Sequence, residues 1–213
     1  LASLIVDELK SAEGKENRFF LPEDSKTCFF YCERDDNEHR NHLDILKGIL
    51  LQMVESEDYI LPLCHQEKMT SGGVNLMDAR VAQKLIKTYI EYCPRQYIVI
   101  DGLDECESTE IHQTARFFKD LVSKYDTSIR LGHLRVMFIG RETSDTRRHI
   151  PGDDCISIPL KPEDNQDDIQ AFVVKRLPDF FKSDTVRGFS LSEADKADIE
   201  GKICRQSEGI PTK

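Results

Sequence analysis

The chain has 213 residues, 39% apolar and 32% charged, with 39 acidic against 29 basic side chains for a net charge of -10. That length holds one full domain and part of a second, and compact apolar runs such as Tyr97-Ile98-Val99-Ile100 put the charge on solvated faces of a folded protein. The acidic balance argues against gripping nucleic acid, and no apolar stretch approaches the roughly 20 residues of a membrane span.

The segment Leu1-Ala2-Ser3-Leu4-Ile5-Val6-Asp7-Glu8 lacks the basic start and long apolar centre of a signal peptide. The seven cysteines (Cys28, Cys32, Cys64, Cys93, Cys106, Cys155, Cys204) form no Cys-x-x-Cys pair and lie mostly beside apolar runs. Both features suit a reduced, cytoplasmic setting. Cys64-His65 has no partners at metal-ligand spacing.

In chain order, Leu1, Leu4, Ile5 and Leu9 mark a helix, and Thr27 to Cys32 reads as a strand. Leu43, Leu46, Leu50, Met53 and Val54 share one face of a helix from about His39 to Glu55. Cys64 to Asn75, with Ser71-Gly72-Gly73, reads as a loop. Val81, Leu85, Tyr89 and Ile90 define the next helix. Tyr97 to Ile100 follows as a strand, then a helix carrying Ile111, Ala115, Phe118, Val122 and Tyr125. Leu134 to Ile139 and Cys155 to Ile158 give two more strands. The strands at 97 and 134 are nearly continuous in apolar residues, which predicts cover on both faces. Beyond Pro162 only helical periods remain: Ile169, Phe172, Val173 and Leu177, then a start at Ser192 with Asp195 leading into Ala197, Ile199 and Ile203.

Strands alternating with amphipathic helices predict an α/β fold with a mainly parallel sheet flanked by helices over residues 1–162. Residues 163–213 then begin a helical subdomain. Loops at the carboxyl ends of parallel strands are where such folds hold ligands.

The informative segment is Tyr97-Ile98-Val99-Ile100-Asp101-Gly102-Leu103-Asp104-Glu105-Cys106-Glu107. Four carboxylates within seven residues at a buried strand end repel one another, so a cation should offset them. Mg²⁺ fits, because it takes one or two carboxylates together with waters and phosphate oxygens. Asp101 would be its ligand, Gly102 the tight turn, and Asp104 or Glu105 the group that orients a water against a phosphate. The pattern is the Walker B signature; the competing assignment is an acidic turn capping the helix near Thr109.

Asp-Gly-x-Asp-Glu after an apolar strand resembles the NACHT branch of the STAND class of P-loop NTPases. It is most similar to the nephrocystin-type modules abundant in filamentous fungi, often joined to ankyrin repeats. The leading helix, the strand Cys28-Phe29-Phe30-Tyr31-Cys32 and Leu134 to Arg141 share the likeness. The resemblance implies a P-loop NTPase sheet and a nucleotide switch in a larger protein. That switch would bind ATP or GTP with Mg²⁺, self-associate through this module and hydrolyse slowly. It also implies that Asp101 serves metal and nucleotide, that Asp104 and Glu105 are catalytic, and that Arg141 senses the terminal phosphate. An ordinary loop arginine beside Arg147 and Arg148 is the other assignment for Arg141.

The phosphate loop Gly-x-x-x-x-Gly-Lys-[Ser/Thr] is absent: Gly14-Lys15 and Lys26-Thr27 both lack its spacing. The family places it, with the strand that feeds it, just before a helix like Leu1 to Lys10. These 213 residues are therefore expected to be a partial piece that binds no nucleotide alone. A non-enzymatic interaction module or a truncated, degenerate product is the alternative, and an AAA-type ATPase a third. Gly209-Ile210-Pro211 has a form some relatives use near the nucleotide base, but also reads as an ordinary helix end.

Overall fold

In the computed structural model, residues 1–11, 25–36, 39–56, 60–71, 78–93, 95–125, 133–150, 155–161, 164, 166–182 and 192–206 are described. They divide into two compact units, Leu1–Cys155 and Ile156–Lys213. Gly14-Lys15 and Gly209-Ile210-Pro211 lie outside the described residues.

The first unit is built on a parallel sheet of β1 (Ser25–Tyr31), β2 (Arg95–Asp101) and β3 (Leu134–Ile139), with β2 in the centre. Around it lie α1 (Ala2–Ser11), α2 (His42–Ser56), α3 (Ile60–Ser71), α4 (Ala79–Tyr92), α5 (Ser108–Tyr125) and the short α6 (Ser144–His149). The α/β class read from the sequence is the class observed. Parallel pairing follows from the helical crossovers, which return each strand in the same direction.

The core is one cluster in which Cys28, Phe30, Ile98 and Ile100 meet Ile45 and Ile49 of α2, Ile86 and Ile90 of α4, and Phe118 and Leu121 of α5. Each such aliphatic side chain contributes about 1.5–3 kcal/mol by leaving water. Val99 is also buried, but the strand's period of two turns it to the opposite face. There, among the described residues, α1 packs mainly against β1 and β2. Cover on both faces therefore holds for β2 and not for β3, where Arg135 and Met137 are exposed.

Local chemistry sets the element ends. Asn41 accepts the amide of Asp44 at 2.9 Å and starts α2, three residues after the predicted boundary. Asp78 caps α4 through the Arg80 amide at 2.8 Å. At the outer edge of β1 one residue is met by a side chain: Gln52 of α2 accepts the Phe29 amide at 3.0 Å and donates to its carbonyl at 2.7 Å. At Phe29 these are the bonds a further strand would make.

Three expectations are corrected. The predicted loop from Cys64 is helical as far as Ser71; Pro62 falls in the first turn of α3, where its missing N–H costs nothing. The segment from Arg141 to His149 is not all loop, because Thr143 and Thr146 form a reciprocal capping box that opens α6. Cys155 to Ile158 is no strand: it has no neighbouring strand to bond its backbone among the described residues, and Ile156 and Ile158 are exposed.

The second unit pairs α7 (Gln166–Lys182) with α8 (Glu193–Gln206). Val173 and Leu177 are buried against Phe181 and Ile199. Ser192 and Asp195 cap α8 reciprocally, with amide bonds of 3.2 and 2.9 Å, as their spacing predicts. Phe172, Ala197 and Ile203 are exposed instead of joining that core. The guanidinium of Arg176 lies 5.8 Å from the Phe172 ring centre.

Candidate functional site: the acidic turn after the central strand

The register aligns Asp101, the last residue of β2, with Tyr31 on one side and Ile139 on the other. Three chain segments therefore end side by side at the carboxyl edge of the sheet. Gly102 follows at φ 72°, a conformation that disfavours any side chain, and a Cβ there would stand 2.8 Å from the Cys32 carbonyl oxygen. Its amide donates to Ile139 at 2.9 Å, while the Cys32 amide donates to Asp101 at 2.8 Å. The chain then makes one 3₁₀ turn, Leu103–Glu105, anchored by the buried Leu103.

That turn spreads the carboxylates into three different environments. Asp101 is half-buried; burial pushes its carboxyl above the usual aspartate range, opposed by a hydrogen bond from the Gly102 backbone. The charges of Asp104 and Glu105 add to the upward shift. Asp104 has a side chain only 4% exposed and grips Arg141 twice, accepting its amide at 3.1 Å and its Nε–H at 3.0 Å. Gly140 makes room for that grip, since a Cβ there would lie 2.4 Å from Asp104 Oδ1. Glu105 accepts the Arg34 amide at 3.0 Å.

Asp101, Asp104, Glu105 and Arg141 thus gather at one end of the sheet. Arg141 stands beyond β3 as expected, but its guanidinium is held by Asp104. Among the described residues no three His, Cys, Asp or Glu side chains converge on a metal position. A Mg²⁺ that keeps its waters and phosphates needs only one or two carboxylates, and in the contacts described Asp101 is a carboxylate of this turn that is not taken up by another residue's side chain.

The sequence pattern did not reveal the supports of this turn. Glu110 accepts the His42 amide at 2.7 Å, joining α5 to the start of α2. The buried His42 ring lies 3.0 Å from Thr114 Oγ1 through Nδ1 and 3.0 Å from Gln83 Nε2 through Nε2. Gln83 can only donate from that nitrogen, so the neutral ring carries its proton on Nδ1. Cys32 and Cys106 share a hydrogen bond beside the acidic turn, and that bond with burial pushes the Cys32 thiol well above the ordinary range. None of these partners stands at a spacing that a sequence motif would display.

No described helix is long and apolar enough to cross a membrane. Neither the curated proteins nor the solved structures contain a match to this chain. The family described as Nephrocystin 3, N-terminal, matches residues 1–141, a span that runs from α1 through Asp101, Asp104 and Glu105 to Arg141. With that match over the sheet and its acidic turn, the chain belongs to the nephrocystin 3 N-terminal family.

Proposed function

We propose that this chain is the core of a NACHT-type nucleotide switch, in which Asp101 holds the Mg²⁺ of ATP or GTP and Arg141 meets the terminal phosphate. The observation that carries this reading is the half-buried Asp101 carboxyl at the end of the central parallel strand. Its charged form is disfavoured by burial and by Asp104 and Glu105, with no cationic side chain of its own in the contacts described.

Bound Mg²⁺ would supply charge to neutralise both the carboxylate and the phosphate oxygens. The chain's own part is positional. Asp101 is fixed by the β2 register and the Gly102 turn, and Leu103 pins that turn into the core. The guanidinium of Arg141 gives Asp104 only its Nε–H and the side chain is 63% exposed, so Asp104 steadies the group while its terminal nitrogens can meet a phosphate. Between the two candidates for orienting a water, the geometry favours Glu105. Its bond is one exposed contact to a backbone amide, whereas Asp104 is buried and doubly engaged.

A purely structural reading draws on the same engagement of Asp104 and Glu105, and gives a scaffold for interaction without nucleotide. The experiment is nucleotide retention by the natural protein that contains this module, purified with Mg²⁺. Asp101→Ala should abolish retention seen in the parent protein. Retention that survives the substitution overturns the metal assignment, and a parent that never holds nucleotide favours the scaffold. Self-association through the module and a cytoplasmic setting belong to the same proposal.

A further inference from the structure

Among the described residues, backbone amides that follow β1 end on the stretch that follows β2. Cys32 N–H donates to the Asp101 carbonyl at 2.8 Å, Arg34 N–H to Glu105 Oε2 at 3.0 Å, and His42 N–H to Glu110 Oε2 at 2.7 Å. The Arg34 donor is braced. The Asp36 amide closes a turn on the Glu33 carbonyl at 3.2 Å, with Arg34 as the second residue of that turn, and the Glu33 amide bonds the His39 carbonyl at 2.9 Å. His39 Nδ1 lies 2.8 Å from Asp36 Oδ2, and the His39 ring stacks on Phe30 with 5.5 Å between centres. A turn closed from its first to its fourth residue does not use the amide of its second, so the Arg34 N–H is free to serve Glu105.

The two carboxylates of the 3₁₀ turn differ in what they leave open. Asp104 commits both oxygens to Arg141, Oδ1 to its amide and Oδ2 to its Nε–H. Glu105 commits Oε2 alone, and among the described residues Oε1 takes no hydrogen bond. A glutamate anchored by one oxygen holds the other in a fixed direction, and the rotamer freedom it would otherwise lose during reaction is already gone.

We propose that Arg34 is a positioning residue for Glu105, its backbone amide fixing the carboxylate that orients the attacking water. This rests on the nucleotide reading above. In the hydrolysis concerned, the water oxygen bonds to the terminal phosphorus and the bridging P–O bond breaks to release the nucleoside diphosphate. One water proton leaves through Glu105 Oε1 to solvent, and the other stays on the released phosphate. The guanidinium of Arg34 has no part in this.

Proline suits the second position of a turn but carries no N–H, so Arg34→Pro removes the donor and keeps the turn. The natural protein that contains this module is assayed with Mg²⁺ and ATP, or GTP where that is the nucleotide it retains. Arg34→Pro should lower kcat about tenfold, the loss of one hydrogen bond to a charged group, with KM and nucleotide retention unchanged. Arg34→Ala restores the amide and should recover the rate. Glu105→Gln should lower kcat about a hundredfold or more, and adding Arg34→Pro should cost little further. Without nucleotide or metal, the urea midpoints of the chain should shift non-additively when Arg34→Pro and Glu105→Ala are combined. A full rate in Arg34→Pro, an equal loss in Arg34→Ala, or additive midpoints would each overturn the positioning role and leave the nucleotide reading standing. A parent that retains no nucleotide overturns both.

Discussion

Asp104 and Arg141 lend themselves to a double-mutant cycle. Asp104 receives two hydrogen bonds from one residue, at 3.1 Å from the Arg141 amide and 3.0 Å from its Nε. The amide bond ends on a carboxylate that is only 4% exposed, a class worth roughly 1.5–3 kcal/mol. The guanidinium is 63% exposed, so water screens its share to about 0.5–1 kcal/mol. Asp104→Ala removes both bonds and should cost about 2–4 kcal/mol, lowering the thermal midpoint by roughly 5–15 °C in a chain of this size. Arg141→Ala keeps the backbone amide and should cost only about 1 kcal/mol. The double variant should match Asp104→Ala alone, because the guanidinium has nothing left to hold. Urea and thermal unfolding followed by circular dichroism measure all four corners. Strict additivity, with a coupling below about 0.3 kcal/mol, would refute the reasoning that the two side chains act as one tie.

Other outcomes follow from the same geometry. Asp101→Asn should raise the thermal midpoint at neutral pH without metal; a carboxyl whose folded pKa is raised loses stability as pH rises through that value, so the advantage should shrink on acidification. Burial lowers the His42 pKa, more than Glu110 raises it, so stability should fall as pH drops below about 6.5, and His42→Gln should flatten that slope in pH-dependent unfolding. Gly102→Ala meets both a φ of 72° and a carbonyl oxygen at 2.8 Å, and should cost about 2 kcal/mol or more by urea unfolding. Among the described thiols the exposed Cys155 should react first with a thiol reagent, while Cys28, Cys32, Cys93 and Cys106 should react only on unfolding.

The periodic parts of the fold were legible because they report a local constraint. The stripe Ile111, Ala115, Phe118, Tyr125 is buried as its spacing requires, and the run at 97–100 became the central strand because only that position buries a strand on both faces. The same reasoning over-reached at Cys155 to Ile158. Apolar alternation says that a segment can pair, and pairing needs a neighbour. The helix at Ile60–Ser71 escaped for the opposite reason: it has no clear apolar stripe to announce it.

By itself the sequence determined the α/β class, the order of the strands along the chain and the place of the acidic turn, since Asp101 to Glu105 follow a buried strand in unbroken succession. Only the tertiary structure decided what each carboxylate does. Asp104 and Arg141 are 37 residues apart and meet because β2 and β3 are parallel neighbours whose carboxyl ends open at the same edge. Glu105 reaches Arg34 across 71 residues for the same reason, through β1. A motif records spacing along the chain, whereas a charge is neutralised by whatever stands within a few ångströms of it in space.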